Sequence, residues 1–209
     1  METEGLRRFI NDVDSNSAAP GGGSVAALSG ALGAALVRMV GQLTVTKKRY
    51  QNHDADARAG FEKAMDVMGT LKERFMSAVD DDTEAFEGVM EAYRLPKGTD
   101  MERLIRTKSI EKATIRAIHV PLSVAGDALE ALNHLDVCLT VGNPNTISDL
   151  GVARLMFISA LEGALMNVRI NLPGIDDVRR GAYEKNAKDI LEAARPVIEA
   201  LKARLDDMI

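Results

Sequence analysis

The sequence predicts an all-helical fold: one domain, a bundle of about six to seven helices, assembled as a homodimer. Three observations point there. Aromatic residues make up only 4% of the 209 residues and Trp is absent, so Ala, Leu, Val and Met must fill the core. Apolar residues recur at helical spacing over long stretches, whereas the β-branched and aromatic runs that favour strands are scarce. Two stretches, 24–40 and 147–170, are rich in Ala and Gly or apolar nearly all round. Helices of that kind are buried on most sides or pair with a symmetry mate, which is the basis for expecting a dimer.

The elements follow in order. Residues 4–13 form a short amphipathic helix with Leu6, Phe9, Ile10 and Val13 on one face. "DSNSAAPGGG" breaks it, and a second helix starts at 22–24 and runs to about 46. Small residues recur four apart there, as Ala26, Gly30, Ala34 and as Ala27, Ala31, Ala35, so another backbone can approach closely. The third helix spans 55–93 and stops at Pro96 and Gly98. A fourth covers 100–118, with Pro121 kinking or restarting it and periodicity returning through 132. Residues 135–141 read as either helix or extended chain. "GNPNTISD" is a loop whose Thr146 or Ser148 can cap a helix over 147–170. Pro173 and Gly174 end that helix, and a last amphipathic one covers 176–207 with a bend at Pro196. No internal repeat, low-complexity tract or linker divides the chain.

A net charge of −5 argues against a nucleic-acid partner. Cys138 stands alone, so no internal disulfide can form. Together with a start lacking a cationic and then apolar signal, this predicts a reducing, cytoplasmic location. A membrane partner is not expected: the apolar run 25–37 is cut by Arg38 and falls short of the roughly 20 residues a span needs.

Four stretches could carry chemistry. Gly21, Gly22 and Gly23 precede a helix whose first N–H groups are free and whose dipole favours an anion or a polar ligand edge. No Lys follows at Walker spacing and no strand precedes, so a nucleotide loop is excluded, and a tight turn with close packing is the simpler reading. Asp82 lies in the stripe Phe75, Val79, Phe86, Val89, Tyr93, whose steps alternate four and three; Asp80 and Asp81 fall off it and are expected in solvent. A carboxylate on an apolar face is costly unless it is paired or functional. Asn143 and Asn145 sit in a turn, and Ser148 and Asp149 suit a helix start. Asn167 shares a row with Asp149, yet 18 residues of helix put about 27 Å between them, too far for one small group. Lys47, Lys48 and Arg49 close the second helix, as stabilising cations or as a carboxylate site. His53, His119, His134 and Cys138 lack ligand spacing, so no metal is expected.

Taken together, "PGGGSVAALSGALGAALVRMV", "KKRY", "DDTEAFEGVMEAYRLPK", "VPL", "GNPNTISDLGVARLM" and "ALMNVRINLP" resemble the formiminotetrahydrofolate cyclodeaminase / methenyltetrahydrofolate cyclohydrolase family. The motifs fall in order from about Leu6 into the last helix. Thr46 departs where the family favours Gly, and Thr146 where it favours Ala or Val. The resemblance implies a dimeric helical enzyme that needs no cofactor and takes a tetrahydrofolate derivative as substrate. A chain without a transferase domain resembles the cyclohydrolase branch, the cyclodeaminase reaction being the alternative. A non-catalytic folate-binding or scaffold dimer is the reading from another class. By resemblance, Asp82, Asn143 and Asn145 are the catalytic set. Gly21, Gly22, Gly23, Ser24, Lys47, Lys48, Lys97, Ser148, Asp149, Asn167 and Arg169 are the substrate-binding set. The implied chemistry is attack of water on an amidinium carbon bridging N5 and N10, with Asp82 stabilising the cation and accepting the water proton. The paired asparagines would orient water or the pterin edge, and the lysines would meet the glutamate tail.

Overall fold

The computed structural model describes residues 4–209. Among the described residues there are seven α-helices and two short 3-10 turns, and no strand. The helices are α1 Glu4–Val13, α2 Gly22–Val45, α3 Lys48–Gln51, α4 Ala55–Arg94, α5 Asp100–Val141, α6 Ile147–Asn171 and α7 Asp177–Asp206. Around the core the order is α2, α4, α5, α6, and α7 lies against α5 and α6. Neighbours among α2, α4, α5 and α6 run antiparallel, as do α6 and α7, whereas α7 runs parallel to α5, with Glu111, His119 and Asp136 meeting Arg179, Tyr183 and Arg204. Along α2, Gly23, Gly30 and Gly41 face Asp82, Phe75 and Met65 of α4, while Gly22, Ala26 and Gly33 face Asn167, Gly163 and Phe157 of α6.

The small residues of α2 make this closeness possible. A Cβ on Gly30 would lie 2.6 Å from the Phe75 ring, and one on Gly33 would lie 2.8 Å from Phe157. The two rings stack with centroids 6.5 Å apart, both fully buried at the bundle centre. Each contributes about 1.5–3 kcal/mol of burial that a bulkier α2 would forfeit. Helix starts are fixed locally. Asp54 accepts the Ala57 N–H at 2.7 Å to open α4. Thr99 and Glu102 form a reciprocal capping box at 2.8 and 3.2 Å to open α5, and the Thr99 backbone hydrogen bond lowers the Glu102 carboxyl pKa.

Several expectations from sequence are corrected. Residues 100–141 are one continuous helix with Pro121 inside it, not two or three pieces. Proline removes one helical donor and frees the carbonyl four residues back. Here that carbonyl, Ala117 O, accepts from Asn171 Nδ2 of α6 at 3.1 Å, so the break is repaired from a neighbouring helix. Residues 135–141 are helical because Leu135, Cys138, Leu139 and Val141 are all buried. Pro196 sits inside α7, a single helix over the expected span. Lys47, Lys48 and Arg49 do not close α2, which stops at Val45. Lys47 instead caps the separate turn α3, anchored by Tyr50, whose hydroxyl donates to Glu62 at 2.8 Å. Asp81 is half-buried and pairs with Arg116 at 3.5 Å instead of standing in solvent.

α6 is not the enclosed central helix. Leu155 is 53% exposed and Met166 63% exposed on its outer face. Nor does length exclude α2 as a span: α2 and the stretch Pro144–Gly174 are each long and apolar enough to cross a membrane. Both pack in the bundle, and Arg38 of α2 donates to Met65 O at 2.9 Å across the α2–α4 contact.

Candidate functional site

The start of α2 forms one end of the bundle. Gly21 occupies the N-cap position with no side-chain cap, and the first helical bond joins the Val25 N–H to Gly21 O at 3.0 Å. The preceding amides therefore stand outside the helical ladder. Asp82 arrives from α4 against Gly23, where any Cβ would collide with its carboxylate. Ser24 is 0% exposed, and its Oγ donates to Asp82 Oδ2 at 2.9 Å. Thr83 Oγ1 lies 3.4 Å from the same Ser24 oxygen. Asn167 closes the third side from α6. Its Nδ2 donates to Gly163 O at 2.9 Å and lies 3.5 Å from where a Gly22 Cβ would be. Three helices thus bring together Gly22, Gly23, Ser24, Asp82 and Asn167, with Gly21 at the rim.

A second cluster lies at the opposite end. Thr44, Lys47, Arg49, Tyr50, Asn143 and Asn145 border a cavity of about 230 Å³. The asparagine loop is held internally. Asn143 N–H donates to Thr44 Oγ1 at 2.9 Å, and Asn143 Oδ1 accepts the Asn145 N–H at 3.1 Å. The Thr146 hydroxyl donates back to Asn143 O at 2.7 Å, so neither it nor the exposed Ser148 caps α6 through its side chain. Asp149 is half-buried in the first turn of α6. Ser24 and Thr44 are 20 residues apart on one helix, about 30 Å. Asp82 and the paired asparagines therefore cannot serve the same small group within one subunit.

The remaining predicted residues lie elsewhere. Lys48 is exposed on α3, and Lys97 is exposed in the turn between α4 and α5. Arg169 faces outward from α6 and lines a groove of about 720 Å³ with Leu172, Arg180 and Lys188. Among the described residues no group of three His, Cys, Asp or Glu could hold a metal ion. Cys138 is buried, with its thiol pKa pushed up to about 12 chiefly by burial, and is no nucleophile. Sequence reasoning missed Thr83, although it adjoins Asp82 and carries a hydroxyl. It also missed Asn171, whose role appears only when α5 and α6 are packed.

A free helix N-terminus, a carboxylate with one oxygen tied to a buried hydroxyl, and a side-chain amide can together hold a polar heterocycle and receive a proton. This is an enzyme built on an all-helical bundle. The family model described as Formiminotransferase-cyclodeaminase matches residues 5–206, and the chain belongs to that family. It is 38% identical over 206 residues to the methenyltetrahydrofolate cyclohydrolase of Methylorubrum extorquens, covering 99% of this chain and 96% of that one. It is 35% identical to the formimidoyltransferase-cyclodeaminase of Rattus norvegicus, covering 95% of this chain but 37% of that protein. The crystal structure of formiminotetrahydrofolate cyclodeaminase from Thermotoga maritima superposes with a TM-score of 0.77 at 28% identity, covering 97% of this chain and 94% of that one.

Proposed function

We propose that this protein hydrolyses 5,10-methenyltetrahydrofolate to 10-formyltetrahydrofolate. The observation that carries the reading is Asp82, a half-buried carboxylate pinned at the glycine-rich start of α2. The substrate is a cation. Water adds its oxygen to the bridging carbon and gives one proton to Asp82; the carbon–N5 bond then opens with its electron pair going to N5, the remaining hydroxyl proton passes to N5, and the formyl group is left on N10. The overall step releases one proton, so an ionised carboxylate beside the carbon both stabilises the reactant and takes that proton. Gly21 and Gly22 leave a flat ring room to lie against backbone, with Gly23 admitting the carboxylate and Asn167 reading the ring's polar edge. The near full-length relationship to a cyclohydrolase favours hydrolysis. The likeness to the Thermotoga maritima cyclodeaminase supports a second reading, in which the same carboxylate serves ring closure with loss of ammonia.

The homodimer belongs to the same proposal. Val25, Leu32 and Met39 of α2 and Val152, Leu155 and Met166 of α6 are exposed on adjacent helices, a face that a second copy would cover. Were its two-fold axis perpendicular to α2 through the middle of this face, the helices of the two copies would run antiparallel, and the partner's Lys47 would approach this subunit's Asp82 end within reach of the substrate's glutamate tail. The lone cysteine fits a reducing, cytoplasmic setting. Purified protein is given each folate and the methenyl chromophore is followed. Its loss from methenyltetrahydrofolate supports hydrolysis, its appearance from the formimino substrate supports deamination, and neither change overturns both. Light scattering checks the assembly, and a fully active monomer would refute the dimer.

A further inference from the structure

We infer that Ser24 is the positioning residue of Asp82, and not a contact for the substrate. The inference rests on the reading that Asp82 acts in turnover. Ser24 is 0% exposed, so its hydroxyl lies beneath the site, out of reach of a ligand. Its Oγ donates to Asp82 Oδ2 at 2.9 Å. A serine hydroxyl has a single proton, and a carboxylate only accepts. Once Ser24 gives that proton to Asp82, the contact at 3.4 Å must run the other way, with Thr83 Oγ1 donating to Ser24 Oγ. The hydroxyls form a directed chain, Thr83 to Ser24 to Asp82.

The consequence is that the two oxygens of Asp82 are no longer equivalent. Oδ2 is turned inward and occupied. Oδ1 accepts no side-chain hydroxyl among the described residues and lies against the bare Cα of Gly23, where a β-carbon would collide with it. Carboxylate rotation is thereby restrained with Oδ1 against Gly23 in the first turn of α2, and under the proposed function the water and the amidinium carbon meet beside it. Gly23 and Ser24 act as a pair: one leaves the space that lets the carboxylate enter, the other locks it there.

Ser24→Ala changes volume little and removes only the hydroxyl. The expected result is a fall in kcat of about 10- to 100-fold, the range for losing a hydrogen bond to a charged group, with KM changed less than about twofold. In an Asp82→Asn background the same change should cost less than about twofold in single-turnover rate, because the group it positions is already disabled. Thr83→Val, on a half-exposed residue, should lower kcat by about 2- to 5-fold in the native background and by nothing further beside Ser24→Ala. Thermal unfolding verifies that each variant is folded; if Ser24→Ala is not, Thr83→Val with and without Asp82→Asn carries the test alone. Additive losses of kcat in the double variants, or a raised KM with unchanged kcat, would overturn the assignment. A fully active Asp82→Asn variant would instead remove Asp82 from the mechanism, a failure of the functional reading that this comparison separates from its own.

Discussion

The two ends of the bundle differ in how their polar groups are used. At the Asp82 end, side chains from different helices meet: Ser24 of α2 bonds to Asp82 of α4, and Asn167 of α6 stands beside Gly22. At the Asn143 end, the hydrogen bonds are mostly local to the loop, and the charged groups Lys47 and Arg49 stay available beside a cavity. One end holds an anion oriented by packing; the other offers cations on a short turn. Residues that one motif set groups together thus lie at two ends of the bundle, and under the proposed function one end serves the chemistry and the other retains the ligand.

The largest loss of activity is expected from Asp82→Asn. It should lower kcat by about 10²- to 10⁴-fold while leaving KM within a few-fold, as measured by steady-state turnover and folate binding. Next is Gly23→Ala. A β-carbon there must displace the carboxylate, and the expected loss in kcat is about 10- to 100-fold, the range for a slightly misplaced catalytic group, with the helical circular dichroism unchanged. At the other end, Lys47→Ala should raise KM by about 3- to 10-fold with kcat preserved, and the effect should shrink in high salt. A large kcat effect from Lys47→Ala would erase the contrast between the two ends.

The smallest effect on turnover serves as a control away from both ends. Asp127 of α5 is 5% exposed and pairs with Arg74 of α4 at 2.5 Å. Burial raises its carboxyl from 3.8 to about 6, against the opposing pull of Arg74. The folded chain then binds this proton more tightly than the unfolded chain does. The contribution is therefore fully favourable below about 4 and is lost as pH rises to about 6, a change of about 1–3 kcal/mol. Denaturant unfolding between pH 4 and 7 should show this slope in the native protein and a flatter one in Asp127→Asn, with turnover little altered in either.

Much of the fold could be read along the chain. α1, α4, α6 and α7 begin and end within a residue or so of where periodicity, caps and the Pro96 and Pro173 stops put them. Asp82 was legible because a lone acid in a four-three apolar stripe is a local pattern. Pro121 was left between a kink and a restart because local rules weigh a lost donor but not a rescue by Asn171, 54 residues away in sequence. The division of the site was only half legible. The separation of Asp149 from Asn167 along one helix followed from helical rise, but that of Asp82 from Asn143 needed the order of helices around the core.

The helices, their small-residue faces and the odd carboxylate are written into the chain locally, because each is set by neighbours within a few turns. That Ser24 lies under Asp82, that Asn171 mends the break at Pro121 and that the lysine and asparagine turns share the far end emerges from the packing of the helices. Those outcomes depend on which helix faces which and in what direction, and antiparallel packing joins residues that are far apart in the chain.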